Sequence, residues 1–90
     1  MTAKVRQMKS VRSGRPAANQ FIIYTDEGNY FQSYKSVIAF KDNNDKIKLD
    51  KYYWDYSRTT GIYRNQFLGE GIADTRAKIE LGIYKLADLN

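Results

Sequence analysis

Between Gln20 and Asp50 the chain keeps alternating between two kinds of segment: β-branched and aromatic runs, and short groups of turn-forming residues. "QFIIYT" is followed by "DEGN", then by "YFQSY", "SVIAF", "DNND" and "KIKLD". The first kind fits a pleated, half-buried surface; the second bonds its own backbone and reverses direction. Gly28 can supply the positive φ of a hairpin loop. In "KIKLD", Ile47 and Leu49 point one way while Lys46 and Lys48 point the other, so this strand has one wet face. A meander of about four antiparallel strands is the simple reading.

The period changes after Tyr56. "SRTTGIYRNQFLG" places Tyr63 and Phe67 four apart, with Ser57, Thr59 and Thr60 as N-cap candidates and Gly69 just past the end. Gly61 inside this helix costs about 1 kcal/mol against Ala. "ADTRAKIELG" reads as a second helix with Asp74 early and Gly82 as its stop, and "IYKLADLN" as a closing strand. The expected class is α+β: the meander, two short helices and a C-terminal strand. Ninety residues make one domain, whose small core is helped by eight Tyr, four Phe and one Trp.

Charge is unevenly placed. Residues 1–16 hold Lys4, Arg6, Lys9, Arg12 and Arg15 and no acid, while the ten later Lys and Arg are balanced by ten Asp and Glu. The net charge of +5 therefore resides in the first sixteen residues. This segment has no clean hydrophobic period and ends in Ser13-Gly14-Arg15-Pro16, where the only proline disfavours helix at Arg15. A flexible basic arm over 1–16 and a folded domain over 17–90 are expected. An edge strand near Lys4–Val11 is the alternative, disfavoured because Ala3, Val5 and Met8 do not alternate.

Several chemistries lack their residues. With no Cys and no His there is no disulfide, thiolate site, imidazole ligand or Ser–His pair. The acids are spread singly, in turns or beside glycine. "DNNDKIKLDKYY" fails as a calcium loop, with Ile47 where glycine is needed and Tyr53 where a bidentate Glu belongs. "GEG" at 69–71 lacks the rest of a phosphate loop. Ser57 has no base nearby in the sequence and reads as a helix cap. A protein without enzymatic activity, cofactor or metal is expected. No apolar run approaches the ~20 residues that span a bilayer, and no apolar segment follows the basic N-terminus, so a cytoplasmic protein with no membrane partner is expected.

The stretch "YYWDYSRTTGIYRNQFLGEG" poses a choice between exposed rings that stack on unpaired bases and rings that fill a core. The body needs apolar area, so the rings are expected between sheet and helix, with Trp54 largely buried. "NYFQSYKSVIA" followed by "WDYSRTTGIYRNQFLG" resembles a family of small domains of unknown function from bacteriophages and their hosts. The residues carrying the likeness are Phe31, Ser33 and Tyr34, then Tyr56, Ser57, Thr59, Thr60, Phe67 and Leu68. It covers about residues 19–90 and leaves the basic arm outside. Similar sequences often place a basic residue and His after the Thr pair, where this chain has Gly61-Ile62-Tyr63-Arg64. The resemblance implies a phage accessory protein acting in host cytoplasm and supplies no activity.

Two functions compete. The first is nucleic-acid binding through Lys4, Arg6, Lys9, Arg12 and Arg15, with Arg58 and Arg64 adding contacts, driven by counterion release. The second is inhibition of a host enzyme or antiviral defence complex, the same cations resting on an acidic surface of the host protein.

Overall fold

The computed structural model describes residues 3–90. The four expected strands are β2 (Pro16–Thr25), β3 (Gly28–Ser33), β4 (Ser36–Asp42) and β5 (Ile47–Asp50), each antiparallel to the next in chain order. Their turns use the residues that stand there. Gly28 has φ 146°, and a Cβ on it would lie 2.2 Å from the Lys41 carbonyl oxygen, so only glycine fits. The Asp42 carboxylate accepts from the Asn44 and Lys46 backbone N–H groups, closing the β4–β5 turn.

Among the described residues the sheet has six strands: the four of the expected meander, the expected closing strand and one more. The expected arm contains β1 (Lys4–Lys9), an edge strand antiparallel to β2. There is accordingly no boundary at residues 16 and 17: Pro16 begins β2 and faces Lys9. β1 keeps the period of two, but its composition hides it. Met8, 3% exposed, shares a face with Arg6, whose partner Ile22 lies opposite core residue Phe31, while Lys4 and Arg6 on that face are exposed. The register slip between Gln7 and Lys9 is taken up in β2. The rest of β1 is exposed, and an outermost strand tolerates a run of Lys and Arg that a central one would not. Met1 and Thr2, also assigned to the arm, lie outside the described residues.

Both expected helices form, α1 (Arg58–Leu68) and α2 (Ile72–Glu80). Ser57 caps α1, its hydroxyl accepting from the Thr60 N–H at 3.1 Å, and Gly69 ends the helix at φ 72°. The closing strand is β6 (Lys85–Ala87), parallel to β5, so the two helices form the crossover between these strands.

The core lies between the helices and one face of the sheet. Phe31, Ile38, Ala39 and Leu49 are its fully buried centre, with Met8, Ile47 and Tyr84 around them. Tyr63, Phe67 and Leu68 of α1 and Ile79 of α2 pack on it, and the Phe31 and Phe67 rings stack 5.8 Å apart. A bulge in β4 sets both Ile38 and Ala39 into this core. Neither helix packs on the opposite face of the sheet, where Phe21, Ile23, Tyr30 and Phe40 lie outside the core cluster.

Trp54 is partly buried and packs on the core, but Tyr52, Tyr53 and Tyr56 are 67%, 38% and 46% exposed, which corrects the expectation that these rings pack between sheet and helix. The reason is backbone shape: residues 51–56 form tight turns, not an extended segment, so the three tyrosines point outward while Trp54 reaches the core. Asp50 creates those turns. Its buried carboxylate accepts from the N–H groups of Tyr52, Tyr53 and Leu89.

Candidate nucleic-acid interface

The β1–β2 loop is ordered by its own backbone. Ser10 N–H donates to the Arg15 carbonyl and Gly14 N–H to the Ser10 carbonyl, both at 2.9 Å, with Gly14 at φ 69°. The Ser10 and Ser13 hydroxyls accept from the Arg12 and Arg15 N–H groups. Arg12 and Arg15 are thus presented from a built hairpin tip. Its stem is held to α1 by the Gln66 amide, which donates to the Lys9 carbonyl at 3.2 Å.

Arg58 opens α1 at a position facing this hairpin. Residues 58, 62 and 66 share one helix face, and that face forms a seam with residues 6–12. The seam holds two depressions in series. One, of about 400 Å³, has Arg12 and Arg58 in its walls together with Val11, Ile62 and Tyr63. The other, of about 320 Å³, has Arg6 and Lys9 beside Met8, Ile22 and Gln66. No carboxylate lines either one. Arg6 also lies 5.7 Å from the Tyr24 ring centroid. Among the described residues none of Lys4, Arg6, Lys9, Arg12, Arg15 and Arg58 is paired with an acid.

Arg64 does not join them. It is 2% exposed, and its Nη1 donates to the Trp54 carbonyl at 2.8 Å and to Asp55 at 2.9 Å, while Nη2 donates to Asn65. The expected contact residue is a structural one. The sequence signal was there: Arg64 stands on the same stripe as Thr60, Tyr63 and Phe67, which is the face α1 turns inward.

Three carboxylates that chemistry could have used are spent on structure. Asp55 bridges Arg64 and Arg76. Asp50 holds its three backbone donors; burial pushes its pKa up, but those bonds outweigh it and leave the group below the usual carboxylate range. Glu70, the acid between two glycines, accepts from Lys78 at 2.6 Å, Thr75 at 2.7 Å and Tyr84 at 2.9 Å. Burial raises the Glu70 pKa, the three donors lower it, and the donors prevail. Sequence reading missed this network because its members are five to fourteen residues apart and meet only when α2 folds back. Among the described residues no group of three or more acids, His or Cys converges on a metal position. No helix among them is long and apolar enough to cross a membrane.

The arrangement therefore presents long basic side chains that form no ion pair among the described residues, around depressions lined by no acid. No curated protein and no solved structure matches the chain. A family model does match, over residues 3–82, and so includes β1 and the hairpin tip that the sequence-based boundary left outside. The chain belongs to the family described as "Family of unknown function (DUF8033)".

Proposed function

We propose that the protein binds nucleic acid without transforming it, through the cations of the β1–β2 hairpin and the start of α1. One observation carries this reading: Arg12 and Arg58, from distant parts of the chain, line the same acid-free groove. Unpaired cations on an ordered scaffold gain affinity by releasing the counterions condensed on a phosphate chain, at little ordering cost to themselves. The biological setting that goes with this reading is a small phage accessory protein at work in host cytoplasm.

The test is titration of labelled duplex DNA at several salt concentrations. Each phosphate contact contributes about 0.9 to the log–log salt slope. The Arg12→Ala/Arg58→Ala double variant should bind more weakly and lose about 1.8 of that slope. Equal affinity and slope in parent and variant would remove the groove from the reading.

A second reading, inhibition of a host enzyme or defence complex, is favoured by Tyr52, Tyr53 and Tyr56. Tyr53 and Tyr56 meet edge to face at 5.6 Å and all three rings are exposed. Exposed tyrosines are common anchors of protein interfaces. Capture of a host protein from nuclease-treated lysate, abolished by Tyr52→Ala/Tyr56→Ala, supports that function instead.

A further inference from the structure

The strand registers place one residue of every strand in a single row across the uncovered sheet face: Val5, Ile23, Tyr30, Phe40, Lys48 and Lys85. At ~4.8 Å per strand the row is about 24 Å long. Its centre is aromatic, with the Tyr30 and Phe40 rings 4.4 Å apart and tilted by 34°. One end is aliphatic and the other basic. A side chain on this face meets its row neighbours and solvent, because the helices occupy the other side.

The basic end is a depression of about 420 Å³ lined by Phe40, Asp42, Lys46, Lys48, Ile83 and Lys85. The Asp42 carboxylate is engaged by the Lys46 and Asn44 N–H groups of its own turn, and these bonds, with the nearby Lys46 and Lys48 charges, hold its pKa below the usual range. Among the described residues Lys46, Lys48 and Lys85 form no ion pair, and the single Asp42 carboxylate is the only acid in the depression's lining, within the field of Lys46 and Lys48. Lys48 and Lys85 stand directly opposite each other on paired strands, an arrangement that like charges disfavour. An anion between them turns that repulsion into attraction. Ile83, 59% exposed, and the Phe40 ring give the same depression an apolar wall.

We propose that this face is a second binding surface, for single-stranded nucleic acid, with bases stacked on the Tyr30–Phe40 pair and phosphates on Lys46, Lys48 and Lys85. Stacked rings beside unpaired cations suit a strand whose bases are free, and every base offers a π-face, so the surface is tolerant of sequence. A duplex hides its bases and can use only the charge. The residues are all different from those of the Arg12–Arg58 groove, so the two sites can fail separately.

The experiment compares oligothymidylate of about ten nucleotides, within the range single-strand binders cover, with duplex DNA of the same length. Two variants of the full chain are used: Lys46→Gln/Lys48→Gln/Lys85→Gln, and Phe40→Leu, which keeps an apolar side chain but removes the ring. The lysine variant should bind oligothymidylate at least about tenfold more weakly, with a salt slope smaller by about 2, at ~0.7 per contact on single strands. Phe40→Leu should weaken it about fivefold or more, the low end of what loss of one stacking partner does. Duplex affinity should be unchanged in Phe40→Leu and should fall less than oligothymidylate affinity in the lysine variant. Unchanged oligothymidylate affinity in both variants would overturn the proposal. So would an oligoglutamate peptide that needs the lysines equally while Phe40→Leu leaves oligothymidylate binding intact, since the face would then fit an acidic protein. Loss of duplex binding in Arg12→Ala/Arg58→Ala, with oligothymidylate still bound, supports both sites.

Discussion

The Arg64 guanidinium lies over the Trp54 ring, 5.4 Å from its centroid, and donates to the carbonyl oxygen of that same residue. One cation thus fixes both the ring and the backbone of the turn leading into α1, and its third partner, Asp55, is tied in turn to Arg76 of α2. A side chain counted among polyanion contacts by its charge is the joint between turn and helices.

Replacing Arg64 with Ala should therefore lower stability by about 2–4 kcal/mol, the range for losing a buried charged group and the acceptors it satisfies. Arg64→Lys should recover little, because an ammonium cannot reach several acceptors with one planar fork. Urea unfolding measures both. If Arg64→Ala unfolds at the parental midpoint while duplex binding drops, Arg64 acts at the surface after all.

Gln20 is fully buried, and both its amide nitrogen and oxygen lack a partner. Gln20→Met keeps length and removes two desolvated polar atoms, so stability should rise by roughly 1–3 kcal/mol. For a chain of this size that is about 4 °C or more in Tm. A fall in Tm would show that water reaches the amide and completes its bonding.

Acid should weaken the fold through Glu70 and Asp50. Both have folded-state pKa values below their ordinary ones, so their contribution is complete above the ordinary carboxylate range and is lost as pH falls through the lower folded-state values. Lys78 has the opposite sign: its bond to Glu70 raises its pKa, so what it adds is present at neutral pH and fades only as strong base is reached. Urea midpoints taken between about pH 6 and pH 3 should fall, and less steeply for Glu70→Gln, which has one proton-linked group fewer. An identical slope in that variant would leave Glu70 without the predicted role.

Met8 is the one side chain by which β1 enters the core. Met8→Ala should cost about 2–5 kcal/mol. Removal of residues 1–16 should go further, leaving β2 as an unprotected edge that invites association. Circular dichroism and light scattering on the shortened chain decide this. A monomeric chain with native melting would restore the reading of 1–16 as an arm.

Strands β2 to β5 were legible because their signals are local: alternation, aromatic and β-branched runs, and turn residues that act within four positions. Ser57 and Gly69 were legible as caps for the same reason. β1 was not, because the face that carries Met8 also carries the exposed Lys4 and Arg6, and because charge on an outer strand looks like charge on an arm. The tyrosines at 52, 53 and 56 were misplaced because nothing in their order announces that Asp50 will curl the backbone beneath them. Of the candidate site, residue types could be read but not neighbours. Arg12 and Arg58 meet through a hairpin and a helix whose docking is set by Met8 and Gln66.

The partner of β5 arrives late. β1 to β5 each pair with the strand next in sequence, so these ladders close through short loops and can form early, whereas β6 must return across both helices and Leu89 must reach Asp50 from 39 residues away. Loop-closure entropy makes that contact the slowest to be rewarded. Until it forms, the Asp50 carboxylate holds two of its three backbone donors, and the β5 edge stands open beside the helices. Substitutions in β6 should then leave the refolding rate nearly unchanged and speed unfolding instead, marking residues 85–89 as a latch that fastens after the rate-limiting step.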